Sequence, residues 1–141
     1  MKEEINRRIV IALFKAWEGG TKQHVMDGYE LYLSENCIYE NSGLPPMTKE
    51  ETMKFFFSDP SSDDGIVKLK VDIHEMDAVG DTVWTERTDH HYDKEGNDVL
   101  KPKICGIFKL KGGKIVRWSD YFDPRPMLRL FDAAGQTEAA E

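Results

Sequence analysis

The stretch KGGKIVRWSDYFDPRP, residues 111–126, decides how the second half of the chain is read. KGGK is a tight hairpin turn, so residues 114–122 form a strand returning along its neighbour. Pro124 and Pro126 stop that strand, because proline has no N–H for the ladder. Alternate residues of a strand share a face. The alternation predicts Val116, Trp118, Asp120 and Phe122 on one side, with Arg117, Ser119 and Tyr121 on the other. A carboxylate thus stands in an otherwise apolar row. Burying it ionised is costly unless it is paired, and left alone it would raise its pKa. Asp120 is either a strand-end residue that caps a turn or reaches solvent, or a buried acid with a task.

Upstream, Val99–Leu110 predicts the strand that feeds the hairpin, and Val83–Tyr92 another after a Gly80-Asp81 turn. IVKLKVDIHEM (66–76) alternates as a half-buried strand. The first half is helical. Residues 3–18 place Ile5, Ile9, Val10, Leu13, Phe14 and Trp17 on one helix face, and Gly19-Gly20 ends that helix. A second helix, with Val25, Met26 and Tyr29 inward, runs to about Leu33. CIYEN (37–41) reads as extended and SGLPP as a kinked loop. Thr48 with Glu51 is a capping box that opens a third helix, up to Phe55-Phe56-Phe57. SDPSSDDG (58–65) reads as a loop and residues 133–141 as a mobile tail. Helices followed by consecutive hairpins predict one α+β domain over residues 1–141, with the helices on one sheet face. If the sheet curves around them, it encloses a pocket.

Composition narrows the function classes. A chain of 141 residues is long enough to bury a core. Net charge is −7 with no basic run, which argues against nucleic-acid or anionic-membrane partners. No apolar run approaches the ~18 residues of a membrane span. The start, MKEEINRR, lacks the apolar region of a secretory signal. Cys37 and Cys105 match no metal spacing and are too few for a disulfide framework. A soluble, cytoplasmic protein is expected. His24, His74, His90 and His91 show neither i,i+4 nor HxH spacing, so no metal site is expected. No GxSxG, P-loop or GxGxxG motif precedes a helix.

Two further segments resist a purely structural reading. In WTERTDHH (84–91), Arg87 and Asp89 share a face with Val83, Thr85 and His91. An Arg two residues before an Asp can hold that carboxylate in a charge-assisted hydrogen bond. The opposite face, Trp84, Glu86, Thr88, His90 and Tyr92, is no more apolar, so periodicity leaves both orientations open. In YENSGLPP, Tyr39 and Asn41 share a strand face. They are either turn chemistry or a pair that hydrogen-bonds one small polar ligand such as water.

YENSGLPP, VWTERTD and ICGIFKLKGGKIVRWSDYFD, in that order, resemble the limonene-1,2-epoxide hydrolase family, within the nuclear-transport-factor-2-like or polyketide-cyclase-like cone folds. The resemblance implies N-terminal helices packed in the concave face of a strongly curved mixed β-sheet, a cone-shaped, barrel-like fold enclosing a deep pocket. It implies a homodimer that hydrates an epoxide to a vicinal diol in one step, without metal, cofactor or covalent intermediate. The implied substrate is a small cyclic or terpene-like epoxide. Residue by residue, the proton-donating acid falls on Asp89, the bridging arginine on Arg87, the base on Asp120, and the water-holding pair on Tyr39 and Asn41. Trp118 and Phe122 would line the pocket. His91 departs from the family, whose members carry an apolar side chain there; facing the pocket, it would suit a more polar substrate or perturb Asp89. SDPSSDDG resembles a small insertion at the pocket mouth.

The same scaffold admits other functions. A ketosteroid-isomerase-like or polyketide-cyclase-like enzyme would need one acid near an enolisable ketone, and not the whole set of five. A non-catalytic small-molecule binding domain would leave Asp120 inert.

Overall fold

Helix α1 (Lys2–Glu18) buries Val10, Leu13, Phe14 and Trp17, one stripe at helical spacing, while Ile5 at its start is half exposed. Helix α2 (Lys22–Tyr32) contributes Val25 and Tyr29 to the same core, and the chain passes at once into β1 (Leu33–Asn41). A two-residue β2 (Met47–Thr48) leads into α3 (Lys49–Phe56). The capping box forms as expected: Glu51 N–H donates to Thr48 Oγ1 at 3.1 Å, and Thr48 N–H to Glu51 Oε1 at 3.2 Å. Then come β3 (Lys68–Val79), β4 (Thr82–Tyr92), β5 (Asp98–Leu100), β6 (Lys103–Lys111) and β7 (Lys114–Tyr121). The computed structural model describes residues 1–18, 22–56 and 66–129. Gly19-Gly20, Phe57, the SDPSSDDG segment and the tail at 133–141 lie outside the described residues.

The strands form one sheet in the order β2-β1-β7-β6-β4-β3, with β5 paired to β4. The helices pack against this curved, unclosed sheet, in the α+β cone arrangement. The pairs β3–β4, β4–β6 and β6–β7 are the antiparallel hairpins expected from sequence. The KGGK turn has Gly112 and Gly113 at φ 57° and 78°, the doubly left-handed backbone of a two-residue hairpin turn. The pairing of β1 with β7 is parallel, which makes the sheet mixed. The core on its inner face is aromatic: Phe14, Trp17, Tyr29, Tyr39, Phe108 and Trp118.

Three expectations are corrected. The Val99–Leu110 strand is two strands, broken at Lys101-Pro102; Pro102 has no N–H, and its carbonyl accepts from Asp89 N–H at 3.2 Å. The inward row of β7 does not begin at Val116. Leu110 pairs with Ile115 but Lys109 with Arg117, so Val116 is a bulge residue, and Ile115, fully buried, takes the inner face. Phe122 is not on the strand, which ends at Tyr121; it is half-buried just beyond. A second bulge, at His74 of β3, shifts the inward set from Leu69 and Val71 to Met76 and Ala78.

Candidate active site

Strand β4 settles the face that periodicity left open: Val83, Thr85, Arg87 and Asp89 are buried on the helix side, at 0, 0, 0 and 4% exposure. Arg87 Nε donates to Asp89 Oδ1 at 2.9 Å, and Nη2 donates to Asp89 Oδ2 at 3.2 Å. The same Nη2 donates to Asp120 Oδ2 at 2.7 Å, across β6 on strand β7. The third nitrogen, Nη1, donates to Thr85 Oγ1 at 3.1 Å. The Phe14 ring lies beneath the guanidinium at 4.8 Å. Arg87 is thereby fixed in one orientation.

Asp120 is a buried acid, not a strand-end cap. It collects donors: Arg87 Nη2 and Tyr39 O–H on Oδ2, the latter at 3.0 Å, and Trp118 Nε1–H on Oδ1 at 2.8 Å. Trp118 is therefore more than apolar lining. Fully buried in the aromatic core, it aims its one polar atom at the acid two residues away. The parallel β1–β7 register brings Asn41 beside Asp120 and Tyr39 beside Trp118. Ser42 locks the strand ends together, its N–H donating to Asp120 O at 3.1 Å while its Oγ accepts from Phe122 N–H at 3.2 Å. The Asn41 carboxamide, in a residue 7% exposed, hydrogen-bonds no described residue, so it is free to hold a small polar molecule.

Burial pushes Asp89 above its ordinary 3.8, against the pull of Arg87, and the nearby Asp120 charge adds to the rise. Among the described residues only Arg87 donates to the Asp89 carboxylate. One guanidinium and two carboxylates carry −1 when both acids are ionised; a single proton brings the buried set to neutral. Asp120 accepts hydrogen bonds from three donors, Arg87, Tyr39 and Trp118. Burial favours a proton on Asp89. Burial works against the Arg87 charge too, but the two carboxylates outweigh it and keep the guanidinium protonated. Burial and the Asp120 charge hold Tyr39 well above its ordinary 10.0, so it is a neutral donor.

Two residues of the site escaped the sequence reading. A Cβ on Gly106 of β6 would stand 2.1 Å from Arg87 Nη1 and 2.8 Å from Asp120 Oδ1. The missing side chain is the space the guanidinium occupies. Its signal was an isolated glycine inside a strand pattern. Thr85, the acceptor for Nη1, left no signal, since threonine is an ordinary strand residue.

The histidines do not converge. His90 points outward, its Nδ1 at 2.6 Å from Asp98 Oδ2 and its Nε2 at 2.9 Å from Asp72 Oδ2, while His74 Nε2 lies 2.8 Å from Thr88 Oγ1. Of the sequence-derived candidates, the structure brings together Arg87, Asp89, Asp120, Tyr39, Asn41 and Trp118. His91 lies two residues from Asp89 on the same strand, and Phe122 beside the end of β7.

Comparison with known proteins matches this arrangement to a family. The limonene-1,2-epoxide hydrolase catalytic domain matches residues 5–132. The Mycobacterium tuberculosis epoxide hydrolase EphG is 30% identical over 103 residues, 73% of this chain and 66% of EphG. The alignment thus spans just under two thirds of that relative. The structure of an M. tuberculosis LEH-like epoxide hydrolase superposes with a TM-score of 0.68 at 26% identity, covering 92% of this chain and 90% of that one. An NTF2-like protein of unknown function from Burkholderia pseudomallei superposes at 0.70 and 16% identity, covering 89% and 96% of the two chains, which shows the shared fold alone. The chain belongs to the limonene-1,2-epoxide hydrolase catalytic domain family.

Proposed function

We propose that this chain is an epoxide hydrolase that adds water in one step to a small cyclic or terpene-like epoxide, giving a vicinal diol. The observation that carries the reading is the Arg87 Nη2 atom shared by two buried acids, one of which, Asp89, burial pushes above its ordinary pKa.

Opening an epoxide requires a proton at the departing oxygen and a deprotonated water arriving at carbon. Asp120, as carboxylate, takes a proton from a water held between it, Tyr39 and Asn41. Three of its lone-pair positions are occupied by Arg87, Tyr39 and Trp118, which leaves one on Oδ1 for that water. As the water oxygen bonds to carbon and the C–O bond breaks, neutral Asp89 gives its proton to the epoxide oxygen. Asp120 ends protonated and Asp89 ionised; returning one proton from the first to the second resets the site. The net charge of the set stays constant throughout, because Asp120 gains one proton as Asp89 loses one while Arg87 stays charged. Positioning and proton transfer share the rate gain, and no enzyme–substrate bond forms.

The test is a panel of cyclic and terpene-like epoxides with chiral analysis of the diols. A single turnover in ¹⁸O-water should place the label in the diol, and a metal chelator should leave the rate unchanged. Ketone isomerisation without epoxide turnover would favour an isomerase on this scaffold. Incorporation of unlabelled oxygen from the protein in the first turnover would show a covalent intermediate and overturn the mechanism.

A further inference from the structure

His91 stands two residues beyond Asp89 on β4, and its register neighbours on both sides are buried: Leu69 of β3 at 6% and Leu100 of β5 at 9% exposure. It therefore belongs to the inner row that carries Arg87 and Asp89, about 7 Å along the strand from the acid. Its ring is pinned by one nitrogen. Nδ1 lies 2.8 Å from Leu100 O and 3.0 Å from Asp89 O. Both are carbonyl oxygens, which only accept, so the hydrogen must sit on Nδ1.

The other nitrogen is then defined. Burial holds the His91 imidazole below its ordinary 6.5, against the backbone carbonyl of Leu100, so the ring is neutral near pH 7. A neutral imidazole with its hydrogen on Nδ1 presents a bare lone pair at Nε2. No described residue hydrogen-bonds that atom. The inner row thus offers, a short distance from the acid, an acceptor that has nothing to donate. A ligand carbonyl or carboxylate gains nothing from it, and an ammonium would first have to shed its water. A hydroxyl fits.

We infer that His91 is a specificity-determining residue whose Nε2 accepts a hydrogen bond from a hydroxyl on the substrate, which makes the substrate class epoxy alcohols with the hydroxyl a few bonds from the ring. This rests on the epoxide-hydrolase reading of the same site and names the substrate class within it. A terpene-like epoxide that carries a hydroxyl group meets the requirement.

The experiment uses sets of three cyclic epoxides, identical except for hydrogen, hydroxyl or methoxyl at one carbon, with that carbon moved stepwise away from the ring. kcat/KM is measured for the parent protein and for His91→Leu and His91→Gln. In at least one set the parent should prefer the hydroxyl compound about tenfold, as one neutral hydrogen bond allows, and the preference should lie in KM. The methyl ether, which keeps the oxygen and loses the donor, should fall to the level of the deoxy compound. His91→Leu should collapse the ratio towards one, and His91→Gln, which keeps a carbonyl acceptor, should restore part of it. Equal treatment of alcohol and ether by the parent in every set, or a ratio that survives in His91→Leu, overturns the inference while diol formation still supports the hydrolase. The ether arm needs no variant, so a His91→Leu protein that fails to fold does not spare the idea. If no epoxide turns over, calorimetry with the matched diol products reads the same acceptor. Selective binding of the hydroxylated diol then supports it without the hydrolase, and equal binding sinks it.

Discussion

A single nitrogen of Arg87 joins the two buried carboxyls, donating to Asp120 Oδ2 at 2.7 Å and to Asp89 Oδ2 at 3.2 Å. Neither acid can change its charge without the other responding through that atom. Replacing either with asparagine keeps the shape and removes the proton traffic. Asp89→Asn and Asp120→Asn should each lower kcat by about 10²- to 10⁴-fold, the range of general acid–base contributions, with far-UV circular dichroism unchanged. Full activity in both variants would remove the acids from the mechanism.

The pH dependence follows from the Asp89 shift. A general acid must be protonated, and burial raises this one above 3.8, so activity should fall as pH rises through the raised value. Stability carries the same sign. Because the folded state holds this proton more tightly than the unfolded chain, the contribution is present below 3.8 and is lost as pH rises through the folded value. Denaturant titrations should therefore show Asp89→Asn gaining on the parent protein between pH 4 and pH 8. A constant difference across that range contradicts the assignment.

Gly106→Ala tests the space behind the guanidinium. Its Cβ would meet Arg87 Nη1 at 2.1 Å, and because Arg87 is hemmed in by Phe14 and both acids it has nowhere to retreat. Overpacking of this kind costs about 1–3 kcal/mol, but the loss of kcat should exceed what that destabilisation explains, since the bridge itself is displaced. Thr85→Val should act from the same side by removing the acceptor at 3.1 Å, with Thr85→Ser restoring it. Crystal structures of both variants would show whether Nη2 still reaches Asp120.

On the outer face, His90 ties three strands together through Asp98 and Asp72. Hydrogen bonding to Asp98, and then to Asp72, raises its pKa above 6.5 despite partial burial. A raised folded value means stability present below 6.5 and fading as pH rises through the folded value. His90→Gln should thus cost about 1 kcal/mol or less at pH 5 and almost nothing at pH 9 by chemical denaturation. A loss that grows with pH would reverse the sign and the explanation.

Much of the fold and the site is legible in local pattern. Thr48 and Glu51 announce the start of α3 because a capping box is satisfied within four residues. Arg87 and Asp89 announce a pair because two residues on a strand share a face. The direction of that face was not legible, and the reason is visible outside: Thr88 and His90 build their own polar network with His74, Asp72 and Asp98, so both rows look equally charged. The bulge at Val116 was hidden because Ile115 and Val116 are both apolar, and alternation cannot tell which of two such neighbours is the extra one. Trp118 looked like lining since nothing local says where an indole N–H will point. Gly106 carried its message only in relation to a guanidinium on the next strand.

The parallel contact between β1 and β7 has a consequence for how the protein comes into being. Tyr39 meets Asp120 across 81 residues of chain, the largest separation among the bonds of the site, whereas Arg87 meets Asp89 across two. Closing so distant a contact is slow in entropic terms and comes after the local hairpins have formed. During synthesis Asp89 and Arg87 therefore emerge and pair early, while Asp120 finds Tyr39 only when the final strand slots in beside the first. Under the proposed mechanism, turnover would assay completed chain closure: a chain that holds every hairpin but lacks this last seam would contain half of the machinery and do no chemistry.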